Sequence, residues 1–194
     1  MSLLTGIYGG SFNPIHNGHI FLAKKMLEQL GLDEIWFVVS PQNPLKRSEV
    51  LLNDEKRLEL VRLALKDETN MIVSDYEFHM PKPSYMWNTL ESMSLNYPDR
   101  SFILLIGADN WQHFDKWYKH DEILNKYKIA IYPRKDCYIN DKALPDNVKV
   151  INTQLINISS TQIRDCIRRK EQFETLVPSE VADYIAKEGL YRKR

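Results

Sequence analysis

At 194 residues the chain has the length of one well-buried domain, taken here as 1–194, and its 26 basic and 26 acidic residues cancel. That balance gives no sequence-wide field to draw nucleic acid or an anionic membrane, and no apolar run approaches the length of a bilayer span. With no signal peptide at its start and two widely spaced cysteines, Cys137 and Cys166, it reads as a cytoplasmic protein with reduced thiols that handles small molecules.

The first element is a short buried strand carrying Leu3, Leu4, Ile7 and Tyr8, and a helix follows with Ile20, Ala23, Met26, Leu27 and Leu30 at helical spacing. Between them runs Gly9-Gly10-Ser11-Phe12-Asn13-Pro14-Ile15-His16-Asn17-Gly18-His19, a strand-to-helix turn. Such a turn aims backbone N–H groups and the positive end of a helix at one spot, which suits a phosphate. Gly9 and Gly10 let the backbone turn sharply and come close to a ligand. Asn17 is the expected N-cap, which puts Gly18 and His19 in the first helical turn and leaves space at Gly18 between the two imidazoles. A bare His-x-x-His also fits surface decoration or half a zinc site. The glycines before it and the helix after it favour the phosphate, and no nearby cysteine or carboxylate completes a tetrahedral metal set.

Gly31 stops the first helix, and residues 34–40 (EIWFVVS) form a second strand that runs into a proline-stiffened loop from Pro41 to Lys46. Asn53 caps an amphipathic helix with Leu58, Val61 and Leu65. Residues 71–74 make a short third strand, and 101–106 (SFILLI) a continuous apolar run ending at Gly107, as a central parallel strand should. Residues 128–132 and 148–151 are further strands, and two helices begin near Ser159 and Pro178. This alternation predicts an α/β fold, a doubly wound parallel sheet of Rossmann-like type with C-terminal helices.

A second constellation, Ile158-Ser159-Ser160-Thr161-Gln162-Ile163-Arg164, starts the first of those two helices, with Ser159 and Gln162 spaced as a capping box. Read alone it is an ordinary helix start with a surface arginine. In a parallel sheet, however, ligands sit beyond the carboxyl ends of the strands, where this helix start and the first turn can meet on one polyphosphate.

Taken together, Gly-Ser-Phe-x-Pro-x-His-x-Gly-His and the late Ile-Ser-Ser-Thr-x-Ile-Arg resemble the nucleotidylyltransferase superfamily with the His-x-Gly-His motif. Within it the chain is most similar to the bacterial nicotinate mononucleotide adenylyltransferases of NAD biosynthesis, over nearly its full length. That likeness extends through Pro41-x-x-Pro44-x-Lys46, Pro83-Ser84-Tyr85, Gly107-Ala108-Asp109, Trp117, Tyr132-Pro133-Arg134 and Gly189-Leu190-Tyr191.

The resemblance implies transfer of AMP from ATP to nicotinate mononucleotide with release of pyrophosphate, assisted by Mg²⁺ held mainly by the ATP phosphates. His16, His19, Lys46 and Arg164 are then the catalytic candidates. Gly9, Gly10, Ser11, Phe12, Gly18, Gly107, Asp109, Ile158, Ser159, Ser160 and Thr161, with His16, His19 and Arg164, are the candidates for holding ATP. Asn13, Lys46, Ser84, Tyr85, Met86, Trp117 and Arg134 are the candidates for the mononucleotide. Asp109 follows a buried strand, where an unpaired carboxylate would be costly, and the resemblance implies that it binds ribose hydroxyls or helps to orient the adenylyl half. Trp117 and Tyr85 are expected to stack on the pyridine ring, although aromatics at such positions are commonly core.

Two positions depart from the family pattern: Asn13 stands where aspartate is common, and Met86 where threonine is frequent. The competing readings are a pantetheine-phosphate adenylyltransferase and a non-catalytic nucleotide sensor. Homo-oligomers are compatible with the sequence, and no nucleic-acid or membrane partner is expected.

Overall fold

The computed structural model describes residues 2–41 and 51–192. Six strands form one sheet: β1 (Leu3–Gly10), β2 (Glu34–Val39), β3 (Met71–Ser74), β4 (Arg100–Gly107), β5 (Lys128–Tyr132) and β6 (Val148–Val150). They lie in the order β3-β2-β1-β4-β5-β6, and every pairing is parallel. The connecting helices are α1 (Asn17–Leu30), α2 (Asp54–Leu65), α3 (Met86–Asn96), the single turn α4 (Ala108–Trp111), α5 (His120–Lys126), α6 (Ser160–Arg169) and α7 (Ser179–Glu188).

The pleat explains why the strand sequences are apolar on both sides. Ile7 lies beside Trp36 and Leu104, and this face packs on α3 and α5 through Trp87, Leu90, Met93 and Ile123. The next residue, Tyr8, lies beside Phe37 on the opposite face, with Leu105 and Tyr132. That face is covered by α1, α2, α6 and α7 through Met26, Leu58, Val61, Ile163 and Ile185. Both faces are therefore sealed, as the doubly wound reading requires, and the chain reverses its winding between β1 and β4. A crevice opens there at the carboxyl ends of the strands.

Most of the expected punctuation holds. Gly31 ends α1 at φ 61°. Asn53 caps α2, its side-chain oxygen accepting from Glu55 N at 2.9 Å. Ser159 caps α6, its Oγ accepting from Gln162 N at 3.1 Å. One expectation is corrected: the residue capping α1 is His16, and Asn17 is already helical, its side-chain amide donating to the Thr175 carbonyl at 3.0 Å. Helices α3 and α5 have no counterpart in the sequence reading. No helix among the described residues is long and apolar enough to cross a membrane.

Candidate active site

The site begins where β1 delivers Gly9 and Gly10 into the crevice. Phe12 takes a left-handed backbone conformation at φ 44°, unusual for a bulky residue and common at ligand-binding turns, and the Asn13–Pro14 peptide is cis. The turn is tied from two sides. From α6, Arg164 Nη1 donates to the Asn13 carbonyl at 2.8 Å, and Ser160 Oγ donates to the Pro14 carbonyl at 2.8 Å. From α2, the buried Arg57 donates through Nη1 to the carbonyls of Ser11 and, at 2.9 Å, Ser40. Asn13 Oδ1 accepts from Leu52 N at 3.3 Å, so this side chain packs inward at 1% exposure.

The two sequence constellations thus meet, as the sheet topology predicts. Part of the second one serves the turn itself: Arg164 is only 8% exposed, and its Nη2 donates to Thr161 Oγ1 at 3.2 Å. Ser159 is occupied by its capping bond, and Ile158 packs against the core beside it. Lys46 lies outside the described residues.

His16 and His19 stack with ring centroids 3.7 Å apart and planes 26° from parallel. The His16 backbone N–H donates to His19 Nδ1 at 3.2 Å. A nitrogen that accepts cannot carry the proton, so in the neutral ring of His19 the proton sits on Nε2. His16 is 2% exposed, and its Nδ1 has no hydrogen-bond partner. Burial, reinforced by the positive charge of Arg134, pushes its pKa down to about 3, so near neutral pH it is an uncharged imidazole. Gly18 corrects a second expectation. A Cβ there would lie 2.6 Å from Ile156 Cγ2 and 3.0 Å from His16 Nδ1, so the glycine admits protein atoms rather than a ligand between the rings.

At the end of β4, Gly107 admits no side chain either, because a Cβ would touch Asp109 Oδ1 and lie 3.2 Å from Arg134 Nε. Asp109 is not buried, contrary to expectation: its side chain is 52% exposed and forms a 3.6 Å ion pair with Arg134 Nε. Water and the guanidinium together remove the desolvation cost that the sequence suggested. Arg134 also lies over the Tyr132 ring, 5.0 Å from its centroid. Beneath them Tyr8 keeps a buried hydroxyl without a partner, its pKa raised well above the ordinary value by burial and by the neighbouring Tyr132.

Beside this turn a cavity opens, floored by Gly9, Gly10 and Ser11 and walled by Tyr85, Met86, Trp117, Tyr118 and Tyr132. Ser40, Glu77 and Ser84 also line it. Of the residues predicted for the mononucleotide, Ser84, Tyr85, Met86 and Trp117 line the cavity, whereas Asn13 and Arg134 flank the turn. Met86, the second departure, opens α3 and faces Gly9, where a Cβ would lie 2.8 Å from its Cε.

Sequence reasoning missed Arg57 and Glu77, and named Tyr132 only as part of the family likeness. Arg57 did leave a signal. It sits four and eight residues before Val61 and Leu65, on the apolar stripe of α2, where a charge needs a buried use.

Comparison with known proteins agrees with this fold. The family model described as cytidylyltransferase-like matches residues 7–166. A probable nicotinate-nucleotide adenylyltransferase of Bacteroides thetaiotaomicron is 45% identical over 183 residues, covering 94% of this chain and 91% of its own. Its counterpart in Bacteroides fragilis is 47% identical over 163 residues, covering 84% and 81%. Among solved structures, the nicotinic acid mononucleotide adenylyltransferase of Plasmodium falciparum complexed with NaAD superposes with a TM-score of 0.83 at 20% identity, covering 97% of both chains, and shares the fold. The chain belongs to the cytidylyltransferase-like family and, within it, to the nicotinate-nucleotide adenylyltransferases.

Proposed function

We propose that this protein transfers the adenylyl group of ATP to nicotinate mononucleotide, giving nicotinate adenine dinucleotide and pyrophosphate in NAD biosynthesis. The observation that carries the reading is the stacked His16–His19 pair at the N-terminal end of α1, set beside an aromatic-walled cavity in the crevice of a parallel sheet.

A phosphate monoester has a second pKa of about 6, so the attacking oxygen needs no strong base. It forms a bond to the α-phosphorus as the bond to the pyrophosphate oxygen breaks, and the protein's task is alignment and charge stabilisation. His19 Nε2–H and the uncharged His16 act as donors to the α-phosphate oxygens, with His19 the larger contributor because it belongs to the first turn of α1. Arg164 fixes the turn through Asn13 and brings its positive charge to the side where pyrophosphate leaves. Among the described residues no cluster of His, Cys, Asp or Glu could hold a metal ion, so magnesium would be carried by ATP itself and would supply charge neutralisation at the phosphates.

The pyridine ring of the acceptor lies in the cavity against Trp117 and Tyr85, and its carboxylate faces the start of α3. No side chain caps that helix, so its first N–H groups and positive end are available to an anion. The turnover of His19→Ala tests the reading. It predicts kcat down by about 10²-fold or more with ATP affinity within about threefold, as for loss of a transition-state donor. Unchanged turnover would refute it, and a change confined to nucleotide binding would indicate a sensor.

A further inference from the structure

The acceptor pocket contains a carboxyl group that the reaction does not use. Glu77, on a 3-10 turn (Tyr76–His79) after β3, is 2% exposed and lines the cavity. Its Oε1 accepts from Thr89 Oγ1 at 2.9 Å, which sets the group against the first turns of α3. Its Oε2 is buried without a hydrogen-bond partner among the described residues. Among the described residues, neutral hydroxyls lie around it: Thr89, and the pair Ser40 and Ser84, whose oxygens lie 3.4 Å apart. A buried carboxyl oxygen left unpaired is unfavourable, and a change in its surroundings on ligand binding alters that balance.

We propose that Glu77 is a specificity-determining residue of this pocket, setting how strongly it distinguishes an acceptor whose ring bears a carboxylate from one bearing the corresponding carboxamide. The inference rests on the adenylyl-transfer reading above. The uncapped N-terminal end of α3 is a positive pole, and both Glu77 and a ring carboxylate compete for it. An ionised Glu77 satisfies the pole and opposes a second carboxylate in a site shielded from water. A protonated Glu77 leaves the pole to the substrate and can itself donate. Burial raises the pKa of Glu77 from the ordinary value, while the hydroxyls of Ser84, Ser40 and Thr89 pull it back by favouring the charged form.

Discrimination is therefore strongest at low pH and declines as Glu77 ionises. Among the described residues, the other titratable side chains facing the cavity are Lys116 and Tyr118 beside Trp117, Tyr85 before α3 and Tyr132 on β5. A Glu77→Gln substitution keeps all of these and removes only the titration at position 77.

The test is the ratio of kcat/KM for nicotinate mononucleotide to that for nicotinamide mononucleotide, followed upward from pH 4.5, the ordinary value for a glutamate, to pH 9. Ionisation of the shared phosphate cancels in this ratio. The wild type is expected to lose about tenfold in the ratio as pH rises, while E77Q holds the low-pH value throughout. The same pH course in both proteins overturns the proposal. If E77Q does not fold, Ser84→Ala decides: losing a hydroxyl that stabilises the ionised form moves the midpoint of the decline to higher pH, and an unmoved midpoint overturns the proposal. A wild type that forms dinucleotide from neither acceptor contradicts the adenylyl-transfer reading itself, whereas good turnover with an unchanged pH course contradicts only the role of Glu77.

Discussion

Replacing Arg57 with methionine removes a heavily used buried charge near the site. The guanidinium is fully buried and donates to the carbonyls of Ser11, Ser40 at 2.9 Å and Leu52 at 2.9 Å, and to Asp54 Oδ1 at 2.6 Å. Methionine fills much of the same volume, so the loss is mainly in hydrogen bonding rather than in a new cavity. Each bond from a charged donor contributes about 1.5–3 kcal/mol, but the arginine's own desolvation offsets part of the sum. Breaking such a buried set usually destabilises by about 3–5 kcal/mol. For a chain of this size that lowers Tm by about 6–20 °C, read by thermal and urea unfolding at pH 7. Because Ser11 lies in the turn proposed to hold the nucleotide, kcat should fall as well, by up to about 10²-fold in protein that is still folded. A destabilisation under about 1 kcal/mol with full activity would refute the claim that Arg57 anchors the turn.

Gly18→Ala should impair turnover more than stability, because the added methyl displaces either Ile156 or the His16 ring. Normal kcat with normal unfolding would show that the ring position is not critical. The depressed pKa of His16 predicts a pH-dependent stability. Above pH 6.5 the contribution is complete, and it is lost as pH falls from 6.5 toward 3, because the unfolded chain then takes up a proton that the folded chain refuses. Between pH 7 and 5 this amounts to about 2 kcal/mol, and urea unfolding of His16→Asn should show that much less pH dependence than the wild type. Equal slopes would mean that His16 protonates normally in the folded protein.

Much of the frame was legible because parallel strands sealed on both faces leave a strong signature. The run at 101–106 became β4, and the glycine turn, Gly31, Asn53 and Ser159 each supplied the local stop or cap that they suggested. Helices α3 and α5 were less visible. The first begins without a capping side chain, and the second follows Lys119 in a left-handed conformation.

At the site, the two candidate constellations could be found from motif and topology, but the use of their donors could not. Whether Arg164 and Ser160 face solvent or bind the carbonyls of Asn13 and Pro14 depends on contacts about 150 residues apart in sequence, and no local pattern encodes them. Asp109 was misjudged for a related reason. Its place after a buried strand suggested burial, whereas the turn into α4 leaves the side chain in water beside Arg134. Glu77 carries no sequence mark at all, since its significance comes only from the cavity that it lines.

The most direct test of the account is pyrophosphate release from magnesium and ATP with nicotinate mononucleotide, nicotinamide mononucleotide and phosphopantetheine offered separately to the purified protein. The account predicts release with nicotinate mononucleotide, much weaker release with its amide and none with phosphopantetheine. ATP binding without pyrophosphate release from any of the three acceptors would contradict it.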